Sequence, residues 1–130
     1  MKILFVCRHN RFRSQVAESY FKKINKNKNL VAKSAGIFKG RYPLDHQQSQ
    51  IAKKLGIKIN KRPQAISEDL LAWQEVIIVI TNDLPKGLFK YSVHNYKVIN
   101  WKIPDEVNGN EENIEKIINQ IKKKVEKLVK

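Results

Sequence analysis

The stretch "EVIIVIT", Glu75 to Thr81, holds five consecutive β-branched apolar residues, Val76 to Ile80. A strand with one wet face alternates apolar and polar residues, whereas a continuous run suits a strand covered on both faces. The feature therefore calls for a parallel sheet with helices packed on either side. The rest of the chain follows that plan, alternating strand and helix signals as an α/β domain does.

Lys2 to Val6 is a second short apolar run and predicts the first, buried strand. From Ser14 the residues Val16, Ala17, Tyr20, Phe21 and Ile24 recur at three- and four-residue spacing, so a helix follows at once. It should end in the polar stretch Asn25 to Asn29. Leu30 to Ala35 predicts the second strand, stopped by Gly36. After a loop with Gly40 and Pro43, a helix from about Asp45 turns Ile51, Ala52 and Leu55 inward and stops at Gly56. Ser67 is placed to cap a short helix through Trp73. Pro85 and Gly87 mark a turn region, and Lys97 to Trp101 predicts the fourth strand. In the tail, Ile114, Ile117, Ile118, Ile121, Val125 and Leu128 form one apolar stripe opposite Glu and Lys, the strongest helix signal in the chain.

No repeat or linker interrupts this pattern, and 130 residues at 42% apolar suit one compact domain, residues 1–130. No apolar stretch is long enough for a membrane span, and Ile3 to Val6 is too short for a signal sequence. The single cysteine, Cys7, has no internal disulfide partner, which points to a reducing, cytoplasmic setting. The net charge of +14 raises nucleic acid as a partner. The lysines are scattered, however, and no zinc-finger, RNA-recognition or zipper pattern goes with them. A solvated basic surface that draws in anionic substrates is the preferred reading, without nucleic acid or membrane as partner.

The arginines behave differently. Only five exist, and Arg8, Arg11 and Arg13 lie just after Cys7 in "VCRHNRFRS". In an open parallel sheet, ligands bind beyond the carboxyl ends of the strands. Cys7, Ser34, Thr81 and Asp105 each fall at or near such an end, so one rim can gather them. Cys7 and Arg13 frame a C-x5-R loop between a strand and a helix. A thiol there meets both a helix N-terminus and nearby cations, the two influences that favour its thiolate. Loop amides ahead of the helix form a nest for phosphate oxygens. Arg13 adds a planar fork that takes two oxygens at once. Ser14 is placed to donate its hydroxyl to the sulfur as it leaves, and Asn10 tolerates the left-handed backbone of a tight loop. Arg8, His9, Asn10, Arg11, Phe12 and Ser14 complete the expected phosphate- and substrate-binding loop.

"VCRHNRFRS" resembles the V-C-x-x-N-x-x-R-S signature of the low-molecular-weight protein tyrosine phosphatases, which share their fold with thioredoxin-coupled arsenate reductases. The likeness covers nearly the whole chain: the early loop, "KSAG" after the second strand, an acid near the fourth strand's end and a closing amphipathic helix. Other tyrosine phosphatases with C-x5-R place that loop late, with the acid upstream.

The resemblance implies a single-domain, flavodoxin-like three-layer sandwich with a four-stranded parallel sheet in the order 2-1-3-4. It implies phosphomonoester hydrolysis through a phosphocysteine on Cys7, with Arg13 and loop amides holding the phosphate and Asp105 as general acid and base. No metal or cofactor is implied. The expected partners are a phosphorylated protein or a small phosphate ester, with inhibition by phosphate-like anions. Ser34 matches a serine that bonds the loop asparagine.

The chain departs from the family at several points. Glu106 follows Asp105 where proline is usual, and Asp45 and Asp83 fit the acid's position less well. Lys61 stands for a supporting histidine and Thr81 for an aspartate. Val107 and Asn108 replace aromatic residues that flank a substrate ring. Phe12, and Phe38 or Tyr42, are candidates either to wall the cleft or to anchor the loop, and His9 to line its rim. Phe12 also stands where several relatives carry a second, protective cysteine, so oxidised Cys7 would need an external thiol.

Two alternatives stay open from the residues: an arsenate reductase resolved by an external thiol, and a phosphocysteine carrier or phospho-binding module that does not hydrolyse. Phosphotyrosine, phosphoarginine and small esters all remain as substrates, since Arg11 matches neither the threonine of arginine phosphatases nor the apolar residue of tyrosine phosphatases.

Overall fold

The computed structural model describes residues 1–38, 46–59, 62–82, 96–104 and 110–129. Within them the order is β1 (Lys2–Cys7), α1 (Arg13–Ile24), β2 (Val31–Gly36), α2 (His46–Lys54), α3 (Glu68–Trp73), β3 (Val76–Ile80), β4 (Val98–Trp101) and α4 (Glu111–Leu128). The four strands form one parallel sheet in the order β2-β1-β3-β4. This is the flavodoxin-like α/β arrangement expected from the resemblance.

The unbroken β-branched run has the cause inferred for it: every residue of β3 is buried. Ile78 and Ile80 join Phe5, Val16, Phe21, Ile114 and Ile118 in a core formed with α1, α2 and α4. Ile77 and Val79 face the other way, with Leu4, Val6 and Leu70 of α3. Helices thus cover both faces, and the sheet's two central strands are dry on each.

Cap chemistry sets the helix ends. Ser67 accepts from the Leu70 amide at the start of α3, and Asn110 accepts from the Glu112 amide at the start of α4. Helix α2 ends before Gly56, whose φ of +84° is the left-handed stop a glycine supplies. Lys23 of α1 and Lys122 of α4 then donate to the carbonyls of Gly56 and Leu55, at 2.7 Å each. The predicted turn around Pro85 and Gly87 lies outside the described residues.

Among the described residues, no helix is long and apolar enough to cross a membrane. The strand order places the carboxyl end of β1 between those of β2 and β3, where the chain's direction of travel across the sheet reverses. That is where ligands settle in open α/β sheets.

Candidate active site

Cys7 is the last residue of β1 and Arg13 the first of α1, so residues 8–12 make the whole connection. Helix α1 differs from α3 and α4 at its start. Its N-cap residue, Phe12, offers no side-chain cap and the first turn has no acid, whereas the other two open with a polar cap and paired acids. The first amides of a helix need an outside partner. Those of α1 are therefore suited to an anion held by the loop.

The loop is shaped by Asn10, which takes φ 57°, a left-handed conformation that asparagine tolerates better than most residues. Its amide donates to Cys7 Sγ at 3.2 Å, and Ser14 Oγ lies 3.0 Å from the same sulfur. The hydrogen bonds also have a readable direction. The Gln64 amide can only donate, and it reaches Asn10 Oδ1 at 2.9 Å. Asn10 Nδ2 must then be the donor to Ser14 Oγ at 2.7 Å and to Ser34 Oγ at 3.0 Å. Ser34 in turn donates to the Glu18 carboxylate, which also pairs with Lys22. With its oxygen already accepting, Ser14 has its own proton to give to sulfur. Cys7 is only 3% exposed, so a group must enter the loop to reach it.

Arg13 is equally buried. Its Nη1 donates to Thr81 Oγ1 at 2.8 Å and to the Ile103 carbonyl at 2.9 Å, which ties the guanidinium to the ends of β3 and β4. The loop's floor is Gly36, opposite Cys7 in the β1–β2 register. A Cβ there would lie 2.6 Å from the His9 carbonyl carbon and 2.7 Å from the Asn10 nitrogen. Only glycine lets the loop lie flat on the strand.

The structure thus gathers Cys7, Asn10, Arg13, Ser14 and Ser34, with Thr81 alongside. Arg8 is exposed, and His9 and Arg11 are partly so. The Arg8 guanidinium sits over the Phe38 ring at 5.9 Å, and the His9 ring lies 6.1 Å from it. Phe12 is 4% exposed and packs in the core with Phe5 and Val16, so its ring anchors the loop and does not wall the cleft. Phe38, at 53% exposed, stands beside the opening. Asp105, Asp83, Asp45, Lys61, Tyr42, Val107 and Asn108 lie outside the described residues.

Three participants escape the sequence reading. Glu18 is four residues after Ser14, on the same face of α1, a spacing that could have flagged it. Gln15 donates to the Asn10 carbonyl at 2.6 Å. Gln64 reaches the site only because residues 64–66 run beside the end of β2, bonding Gly36 through the Gln64 carbonyl and the Ile66 amide. No local signal announces this.

A thiol that meets the Asn10 amide and the Ser14 hydroxyl, in a loop that ends at a buried and anchored Arg13, can bind a tetrahedral oxyanion and attack its central atom. Comparison with known proteins bears on that geometry. The low molecular weight phosphotyrosine protein phosphatase family matches residues 2–130. A low molecular weight protein tyrosine phosphatase from T. tengcongensis is 24% identical, with 99% of this chain and 97% of that chain covered at a TM-score of 0.86. An arsenate reductase from Archaeoglobus fulgidus is 25% identical, covers 98% of each chain and gives 0.76. The YwlE arginine phosphatase from Geobacillus stearothermophilus, at 19% identity, covers 98% of this chain and 90% of that one at 0.83. No curated protein matches. The similarity in structure establishes the fold, and the family match over nearly every residue goes further: the chain belongs to the low molecular weight phosphotyrosine protein phosphatase family.

Proposed function

We propose that the protein is a cysteine-dependent phosphomonoester hydrolase, and within that class a protein tyrosine phosphatase. The observation that carries this reading is the convergence on one sulfur of the Asn10 amide and the Ser14 hydroxyl, beside a buried Arg13. Such a cradle fits a trigonal-bipyramidal phosphoryl group, whose equatorial oxygens call for donors that are already in place.

In the first step the Cys7 thiolate attacks phosphorus. The S–P bond forms as the bond to the leaving oxygen breaks, and Asp105 protonates that oxygen. In the second step water attacks the phosphocysteine and gives its proton to Asp105. The S–P bond breaks, inorganic phosphate departs, and Ser14 donates to the returning thiolate. Asp105 follows two residues after Ile103, whose carbonyl holds Arg13. A cytoplasmic setting belongs to the same reading, because a nucleophilic thiol without a second cysteine must be kept reduced from outside.

The test is hydrolysis of p-nitrophenyl phosphate and phenyl phosphate by wild type, Cys7→Ser and Asp105→Asn. Cys7→Ser should lose turnover by more than about a thousandfold while still binding phosphate. Asp105→Asn should slow the poorer leaving group, phenol, far more than p-nitrophenol. An active Cys7→Ser enzyme refutes the nucleophile, and equal effects on both esters refute the acid. Reduction of arsenate with a small thiol, without ester hydrolysis, would move the protein to the reductase reading. Stable labelling of Cys7 with no phosphate release would move it to a carrier.

A further inference from the structure

We infer that Gln15 is a positioning residue of the phosphate-binding loop: by holding the Asn10 carbonyl it keeps the peptide between Asn10 and Arg11 in the orientation that binds an oxyanion. The inference rests on the hydrolase reading and adds to it a residue that acts through another.

Gln15 is 4% exposed and lies in the first turn of α1. A long polar side chain is buried at a loss unless it is hydrogen-bonded. Its position, third in a helix whose N-cap is Phe12, is the one from which a capping-box glutamine accepts from the N-cap amide. Gln15 reaches past that amide. Its Nε2 donates to the Asn10 carbonyl at 2.6 Å, a direction fixed by the carbonyl, which can only accept.

The loop turns on Asn10. Its φ of 57° is left-handed, a form that residues other than glycine adopt at a cost, and each of its polar groups is held. The amide donates to Cys7 Sγ, Oδ1 accepts from Gln64, and Nδ2 donates to Ser14 and Ser34. Two peptide planes meet at this residue. The one before it is tied through its N–H to the nucleophile, and the one after it through its carbonyl to Gln15. The two ties differ during the reaction. A sulfur bonded to phosphorus has given up the charge that made it an acceptor, so the first tie weakens in the phosphocysteine and the second does not.

Among the described residues every peptide bond is trans, so the carbonyl and the N–H of this plane point opposite ways. With nothing on its carbonyl the plane can turn over, the change that separates type I from type II turns. Turning it swings a partial negative charge across a loop that has to receive an anion. Apparent affinity falls with the fraction of molecules left in the competent form. A bound anion selects that form, so the effect falls on binding and not on the rate from the complex.

The experiment uses wild type, Gln15→Met and Gln15→Asn. Methionine keeps the size of the side chain and loses the donor, whereas asparagine keeps the amide and falls a methylene short of the carbonyl. The readouts are kcat and KM on p-nitrophenyl phosphate, the competitive inhibition constants of inorganic phosphate and vanadate, and urea denaturation. In both variants KM and the two inhibition constants should rise together, by about tenfold for one buried acceptor left unmet. The kcat should stay within about twofold of wild type. A merely structural role gives the opposite split, because fewer folded molecules lower the measured kcat and leave KM unchanged. That result overturns the inference, as do constants equal to those of wild type in both variants. Should Gln15→Met fail to fold, Gln15→Asn, which still buries an amide, decides alone. If wild type hydrolyses neither p-nitrophenyl phosphate nor phenyl phosphate, the hydrolase reading fails by itself, and calorimetric titration with inorganic phosphate decides Gln15. Affinity about tenfold weaker in the variants supports its role, and equal affinity, or no binding by wild type, overturns it.

Discussion

Arg13 and Thr81, 68 residues apart in sequence, are joined by a 2.8 Å hydrogen bond from guanidinium to hydroxyl. The second anchor on the same nitrogen is the Ile103 carbonyl. Both acceptors are neutral. They orient the arginine without placing a carboxylate at position 81, where the family resemblance leads one to expect aspartate.

Thr81→Val keeps the volume and removes the acceptor. Phosphate-ester turnover should drop about tenfold, equivalent to some 1.4 kcal/mol of transition-state binding, with the KM for substrate rising. Thr81→Ser should recover most of it. Steady-state kinetics on p-nitrophenyl phosphate for the three proteins settles the point.

Gly36→Ala puts a methyl group 2.6 Å from backbone that has no flexible end to swing aside. The loop must lift off the strand. A displacement approaching 1 Å at a reacting centre costs about a hundredfold in rate, and that loss is expected here with the fold retained. Circular dichroism alongside the assay separates the two.

Asn10 combines a positive φ with a central place among the hydrogen bonds, and two substitutions separate these roles. Asn10→Ala should lose both, at a backbone cost of about 1 kcal/mol. Asn10→Gly should recover only the backbone part of the stability and none of the activity, because Ser14, Ser34 and the Gln64 amide stay without their Asn10 partner in either case. Chemical denaturation and turnover, measured in parallel, give the comparison.

Glu18 tests the far end of the same chain of bonds. Glu18→Gln keeps an acceptor for Ser34 and removes the charge facing Lys22, which is half exposed, so stability should change by under about 1 kcal/mol. Glu18→Ala leaves a buried hydroxyl without that acceptor, and should cost about 1–3 kcal/mol. Equal denaturation midpoints for the two variants would refute this role.

What could be read in the sequence depended on how local its cause was. The β3 run, the α4 stripe and the Ser67 cap are set by neighbours a few residues away, and each stands where the pattern places it. Asn10 and Ser14 were legible because a loop between strand and helix admits few geometries. Local sequence marks Gly36 only as a strand stop, and its closer duty under the loop depends on a neighbouring strand that local sequence does not specify. Gln64 lies 54 residues from Asn10, and only the folded chain brings them together. A loop aromatic such as Phe12 can wall a cleft or anchor the loop, and burial against the core selects the anchor. Asp105 and the other acids proposed for proton transfer fall outside the described residues.

The flush seat of the loop on Gly36 makes β2 a caliper for the whole molecule. Sliding that edge strand by one position would bring Ala35 or Ile37 beneath the loop, with side chains where none fits. Partly loosened states, still rich in helix and sheet, would thus be inert. In a denaturant titration, enzymatic rate should fade ahead of the far-ultraviolet signal, which makes turnover a more sensitive gauge of correct strand alignment than secondary-structure content.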